Sequence, residues 1–316
     1  MYTTKLGSIV SKVVEEASKI LVSRETHVML LLLSMIAEGH VLIEGVPGIA
    51  KTLTAKVIAK LTNLSFSRIQ CTLDILPADV IGTKIYNQKL GDFEIKLGPI
   101  YANIVLVDEI NRASPRTQSA LLEAMQERQI TIEGETIKLP RPFIVIATQN
   151  PIEMEGVFPL PEAQLDRFFI KLEMTQLDRD SLIILLKKGD RAINKEFENL
   201  KPIINADDII SSSNEIDEVY FDDSILEYIV RIIEYTHKHP ATKLGVSPRG
   251  ALHLFTLSKE FALADNRKYL IPDDIKNAAI YALPHRIFIK PEYIAEGYTG
   301  RRVVNDILSK VEVPRP

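Results

Sequence analysis

The stretch Val41-Leu42-Ile43-Glu44-Gly45-Val46-Pro47-Gly48-Ile49-Ala50-Lys51-Thr52 constrains this chain more than any other. A short apolar run, a turn built of small residues and a Lys-Thr pair read as a buried strand, a phosphate loop and the start of a helix. Small residues let successive backbone N–H groups point inward at a polyphosphate, and the helix N-terminus adds its positive dipole. Lys51 is expected to reach the β- and γ-phosphates, and the Thr52 hydroxyl to take a place on Mg²⁺. Ala50 stands where the last glycine of this pattern usually sits. It is read as opening the helix, where helical backbone angles accept a Cβ. Taken alone, the pattern also describes a tight turn and nothing more.

Downstream, Ile104-Val105-Leu106-Val107 reads as a strand buried on both faces, as in a parallel sheet. Asp108 and Glu109 follow at its C-terminal end, where such sheets place their ligands. Asp108 is expected to hold Mg²⁺, directly or through water, and Glu109 to polarise the water that attacks the γ-phosphate. A carboxylate beside a metal ion stays ionised, as that role requires. An Asp-Glu pair after a strand also serves as a helix N-cap; the phosphate loop upstream is what favours the chemical reading. A further buried strand from Phe143 ends at Asn150, which could orient the attacking water or be simply the turn residue before Pro151. Arg167 precedes a strand-like run over Phe168–Leu172, and Arg249 opens a helix in Val246-Ser247-Pro248-Arg249-Gly250. Surface arginines are commonly solvated or ion-paired. A guanidinium on a γ-phosphoryl transition state, however, is worth roughly 10³–10⁵ in rate, so a phosphate-loop ATPase needs one.

The 316 residues suggest about two domains at roughly 150 residues each. A net charge of −4 argues against a protein that coats nucleic acid. The one cysteine, Cys71, excludes an internal disulfide and reads as a small buried residue beside a strand. The apolar run Val28–Ala37 is too short to span a bilayer, and no signal peptide is visible, so a cytoplasmic location is expected. The histidines show no metal-ligand spacing. Helical spacing covers residues 5–37 in two pieces, then about 52–61, 115–127 and 177–188. Residues 66–71 read as a strand. The Gly- and Pro-containing stretch between Thr72 and Asn103 is irregular, with a short hairpin near Phe93, Ile95 and Leu97. Ile130 to Ile137 read as a hairpin turning at Glu133-Gly134, with Thr131 opposite Thr136. Residues 189–224 are polar and read as broken; from Asp222 onward the period is helical, with a helix start at Ile271-Pro272-Asp273-Asp274.

With these motifs the chain resembles the MoxR family of AAA+ ATPases over nearly its whole length. The resemblance is carried by the phosphate loop, including its Ala50, and by Val107-Asp108-Glu109-Ile110-Asn111-Arg112-Ala113. Thr117-Gln118-Ser119-Ala120-Leu121-Leu122-Glu123-Ala124-Met125, Ala147-Thr148-Gln149-Asn150-Pro151 and Pro161-Glu162-Ala163-Gln164-Leu165-Asp166-Arg167-Phe168 complete it. It implies an α/β fold: an AAA+ P-loop αβα core with a parallel sheet over residues 1–200, and a smaller all-α C-terminal lid over 201–316, hinged near 190–205. Within the core, about 72–102 would be a helix-2 insert and about 129–139 the hairpin before sensor 1. ATP would be bound by Gly45, Val46, Pro47, Gly48, Ile49, Ala50, Lys51, Thr52, Leu53 and Arg249, with Mg²⁺ on Thr52 and Asp108.

The resemblance also implies a homo-hexamer with ATP between subunits. Arg167 would reach a neighbour's γ-phosphate in trans, with Asn150 as sensor 1 and Arg249 as sensor 2. Arg112 and Arg116 would lie near the subunit seam and compete for the finger role; Arg167 is favoured. The work implied is chaperone-like remodelling of a protein client, for instance one bearing a von Willebrand factor A domain. A nucleic-acid motor or regulator and a magnesium-chelatase-like subunit are the alternative readings. The chain departs from the family at Val22-Ser23-Arg24-Glu25, which replaces a Val-Gly-Gln pattern near the adenine pocket.

Overall fold

The computed structural model describes residues 3–46, 48–89, 91–150 and 156–314. Packing groups the chain into two compact units. One comprises Val13–Leu160 with Leu172–Ile209, the other Met1–Lys12, Pro161–Lys171 and Ile210–Pro316. This grouping differs from a single cut at residue 200. The short segment around Asp166 belongs with the C-terminal unit because the Arg286 guanidinium donates to the Asp166 carboxylate and to the Phe168 carbonyl. The N-terminal residues belong there because the Thr4 hydroxyl donates to the Leu263 carbonyl at 2.6 Å.

The chain begins with α1 (Lys5–Ser18), whose Leu6, Ile9, Val10, Val13 and Ala17 are buried at helical spacing. α2 (Glu25–Ile36) is apolar nearly all round and correspondingly buried. In the first unit, β1 (Val41–Glu44), α3 (Lys51–Leu61), β2 (Phe66–Gln70), β5 (Ile104–Asp108), α5 (Pro115–Glu127) and β8 (Ile144–Gln149) alternate as strand and helix. Between β2 and β5 come α4 (Pro77–Ile81) and the antiparallel pair β3 (Gly82–Asn87) and β4 (Asp92–Leu97). The 72–102 stretch is thus a short helix and a hairpin, larger than the sequence suggested. α5 starts where Ser114 accepts from the Thr117 N–H and Pro115 takes the first turn. A second hairpin, β6 (Gln129–Ile132) and β7 (Glu135–Lys138), has the expected register, with Ile130 opposite Ile137 and Thr131 opposite Thr136.

The central sheet has the order β2-β5-β8-β1-β9, with β9 (Ile170–Glu173) following the short α6 (Glu162–Leu165). The β2/β5, β5/β8 and β1/β8 pairs are parallel. Every residue of β5 is buried, which is why its sequence is an unbroken apolar run. Register aligns Gln70 with Asp108, Val107 with Ala147, and Glu44 with Gln149. The carboxyl ends of four strands therefore finish on one rim.

α7 (Arg179–Asn199) extends beyond the expected helix, with a kink at Gly189 where φ is 71°. α8 (Ala206–Asp217) lies where the sequence read as broken. Its Ser211–Ser213 run suggested a loop, yet Ile209, Ser212 and Ile216 are buried at helical spacing. Asn205 and Asp208 cap its start reciprocally, at 3.0 and 3.2 Å.

The second unit holds α9 (Asp223–Lys238), α10 (Pro248–Ala264), α11 (Pro272–Ala282), α12 (Pro291–Ala295) and α13 (Gly300–Lys310). It departs from the expected all-α character at one antiparallel pair, β10 (Thr242–Leu244) with β11 (Phe288–Ile289). No helix among the described residues is long and apolar enough to cross a membrane.

Candidate active site

The loop between β1 and α3 is shaped by two glycines that the backbone requires. At Gly45 a Cβ would meet the Met174 carbonyl oxygen at 2.6 Å and the Ile49 side chain. At Gly48 φ is +84°, a region open to glycine without penalty. Gly45→Ala is therefore expected to cost about 1–3 kcal/mol of stability, read as a lowered thermal midpoint. Pro47 lies outside the described residues. Ala50 corrects the sequence reading: it is not helical but left-handed, at φ 68° and ψ 22°, as the N-cap of α3. That conformation costs an alanine about 1 kcal/mol, which is why glycine is the usual occupant. Lys51 Nζ donates to the Gly45 carbonyl at 2.7 Å, so the ammonium is folded back over the loop.

Asp108 and Glu109 stand at the end of β5, on the rim to which the loop also belongs. The Asp108 carboxylate accepts from Arg68 Nε at 2.7 Å and from the Thr148 hydroxyl at 3.2 Å. The same Thr148 oxygen accepts from the Glu109 N–H at 2.9 Å. One side chain of β8 thus holds the Asp108 carboxylate and the Glu109 backbone N–H. Glu109 is left-handed at φ 57°, a strained backbone of the kind that functional sites retain. Its carboxylate accepts from Gln70 Nε2 at 3.0 Å and pairs with Arg112 Nη1 at 3.4 Å. The neighbouring Cys71 is fully buried, and burial, reinforced by the charges of Asp108 and Glu109, pushes its thiol up to about 12. It is inert, as the sequence suggested.

A cavity of about 400 Å³ is lined by Lys51, Thr52, Asp108, Glu109, Thr148 and Asn150, together with Gly48, Ile49, Ala50, Leu53, Arg68 and Gln70. Five residues chosen from sequence for chemistry thereby share one space. Thr52 and Asp108, whose side chains carry hard oxygen donors, both line this cavity, a set that suits Mg²⁺. A second cavity, of about 300 Å³, shares Gly48, Ile49, Ala50 and Leu53 with the first and also includes Val46. Its other walls are mostly aliphatic. Sequence reasoning missed Arg68, Gln70 and Thr148. The alternation of Arg68 and Gln70 along β2 places them on one face, which was a usable signal; the register that sets them against Asp108 was not.

Arg167 and Arg249 belong to the other compact unit. There Arg249 Nη1 lies 3.8 Å from Asp166 Oδ2. Asp166, the residue before Arg167, also accepts from the Ser247 hydroxyl that caps α10, at 2.8 Å, and from Arg286 Nε at 2.9 Å. Arg286 is 2% exposed and donates also to His253 Nδ1 at 2.6 Å. Burial, with the Arg286 charge beside it, drives His253 down to about 3, so the ring is the neutral acceptor this contact needs. Arg116 is exposed on the first turn of α5.

Residues 40–170 match the family described as ATPase family associated with various cellular activities (AAA), and residues 234–307 match the AAA lid domain. Chaperone MoxR1 of Mycobacterium tuberculosis is 37% identical, over 95% of this chain and 81% of its own. The chain belongs to the MoxR family of AAA+ ATPases. The uncharacterized protein YeaC of Bacillus subtilis is 46% identical to this MoxR-family chain over 99% of it and 97% of YeaC. The crystal structure of a candidate ATPase from Cytophaga hutchinsonii superposes with a TM-score of 0.91 at 40% identity, covering 98% of this chain and 96% of that one.

Proposed function

We propose that this MoxR-family ATPase hydrolyses ATP in the cavity between the β1–α3 loop and the ends of β5 and β8. The observation that carries this reading is the meeting of Lys51, Thr52, Asp108, Glu109 and Asn150 around one space. Lys51, released from the Gly45 carbonyl, binds the β- and γ-phosphates, while Thr52 and Asp108 hold Mg²⁺. The ion's contribution is to neutralise phosphate-oxygen charge. Glu109 accepts the proton of the attacking water, and Asn150 holds that water by a neutral hydrogen bond. Gln70 and Arg112 keep the Glu109 carboxylate engaged until the site closes around substrate. Arg167 is the group we assign to a neighbouring subunit's γ-phosphate.

On this reading residues 1–200 form the nucleotide core and 201–316 a lid, save that 1–12 and 161–171 pack with the lid, and Arg249 is the lid residue we assign to the nucleotide. The assembly is a homo-hexamer, and hydrolysis drives chaperone-like remodelling of a protein client in the cytoplasm. The mycobacterial relative is named a chaperone, which supports the last step, and a client with a von Willebrand factor A domain is the form we favour. The net charge of −4 gives a nucleic-acid motor no support. Steady-state phosphate release with ATP and magnesium tests the reading. Lys51→Ala is expected to weaken ATP binding by roughly two orders of magnitude, the value of a charge-assisted contact to phosphate. Unchanged binding by calorimetry would remove Lys51, and with it the assignment of the loop.

A further inference from the structure

The Asp108 carboxylate, to which the magnesium ion is assigned, has a counter-ion from its own chain. Arg68 Nε donates to Asp108 Oδ2 at 2.7 Å, and the Thr148 hydroxyl engages Oδ1 at 3.2 Å. The Asp108 side chain is 11% exposed and that of Arg68 49%. A carboxylate this deeply set needs a compensating charge, whereas a half-exposed guanidinium leaves it at modest cost. Arg68 Nη2 also donates to Gln70 Oε1 at 2.9 Å, so two acceptors hold the fork in place. The same side chain lines the cavity of Lys51 and Thr52, where phosphate oxygens would offer it other acceptors.

A guanidinium in contact with Oδ2 repels a divalent ion brought to the same oxygen, and the repulsion eases once an anion takes up the guanidinium. We propose that Arg68 competes with Mg²⁺ for Asp108 and gives way when nucleotide phosphate arrives, so that metal and nucleotide enter the site together rather than independently. Arg68 is then a positioning residue that couples the two ligands, and such coupling is reciprocal. Without it, Asp108 would meet divalent cations with its charge uncompensated whether or not nucleotide is bound. The proposal rests on the reading of this cavity as the site of ATP and Mg²⁺.

Mn²⁺, a paramagnetic stand-in for Mg²⁺, tests it without turnover. Loss of the free-ion electron paramagnetic resonance signal reports binding to the full chain, alone and with ADP, the chain being in excess so that the nucleotide is bound. The wild type is expected to bind Mn²⁺ about a hundredfold more tightly with ADP than without, near the upper end of common coupling strengths. Arg68→Gln removes the competing charge; it should tighten binding of Mn²⁺ alone about tenfold and shrink the coupling ratio to match, whereas Arg68→Lys keeps the ratio within about threefold. A ratio unmoved by Arg68→Gln overturns the proposal, including the case where Mn²⁺ alone binds both proteins too weakly to measure. So does weaker metal binding in that variant. Should Arg68→Gln fail to fold, the wild-type pair of affinities decides alone, equal values overturning the proposal. Asp108→Asn separates the two levels: if it leaves Mn²⁺ binding with ADP unchanged, the metal-site reading itself fails and this proposal falls with it.

Discussion

Glu109→Gln is expected to bind ATP as the wild type does and to lose turnover by roughly 10²–10⁴-fold, the worth of a positioned general base. The substitution preserves the shape of the side chain and removes only its charge and basicity. The Gln70 amide at 3.0 Å and the Arg112 guanidinium at 3.4 Å both donate to the present carboxylate. A glutamine oxygen can accept both, so the loop keeps its local bonding. The Glu109 N–H, held by Thr148 at 2.9 Å, is untouched, and so is the strained left-handed backbone. What changes is the water, which no longer meets a group able to take its proton. Phosphate release beside an ATP titration separates the two effects. Hydrolysis at the wild-type rate would take Glu109 out of the chemistry.

Arg167→Ala is expected to lower hydrolysis by about 10³-fold, at the lower end of the range for a guanidinium on a γ-phosphoryl transition state. The segment carrying it is firmly anchored: the preceding Asp166 accepts from Arg286, Ser247 and, at longer range, Arg249. Alanine at 167 leaves those bonds in place, so loss of activity is not expected to bring loss of fold. If the arginine acts in trans, mixing Arg167→Ala protein with Lys51→Ala protein creates seams where an intact loop meets an intact arginine. Activity returns in the mixture although each parent lacks it. No recovery in assemblies shown to be mixed would assign the finger to another residue, Arg112 or Arg116 first.

Much of this was legible because burial writes itself into sequence. β1, β5 and β8 are covered on both faces, so their residues are apolar without alternation, and the polar groups that follow them mark the rim. The β6–β7 hairpin was readable down to its register because Glu133-Gly134 fixes the turn. Other features depend on relations that a linear pattern does not carry. Arg68 and Gln70 join the site only through the pairing of β2 with β5. The left-handed backbone of Ala50 is set by the loop as a whole, and an alanine after a turn looks like the first residue of a helix. α8 was hidden by serines, of which Ser212 is fully buried. Arg24 was visible as a departure from the family pattern, but its place on a cavity wall came only with the fold.

The most direct measurement is the electron density of Glu109→Gln protein crystallised with ATP and magnesium. The account predicts a triphosphate enclosed by residues 45–52, with the metal bound to Thr52 and Asp108 and residue 109 turned toward the γ-phosphate. A nucleotide bound elsewhere, or a metal remote from Asp108, would contradict it.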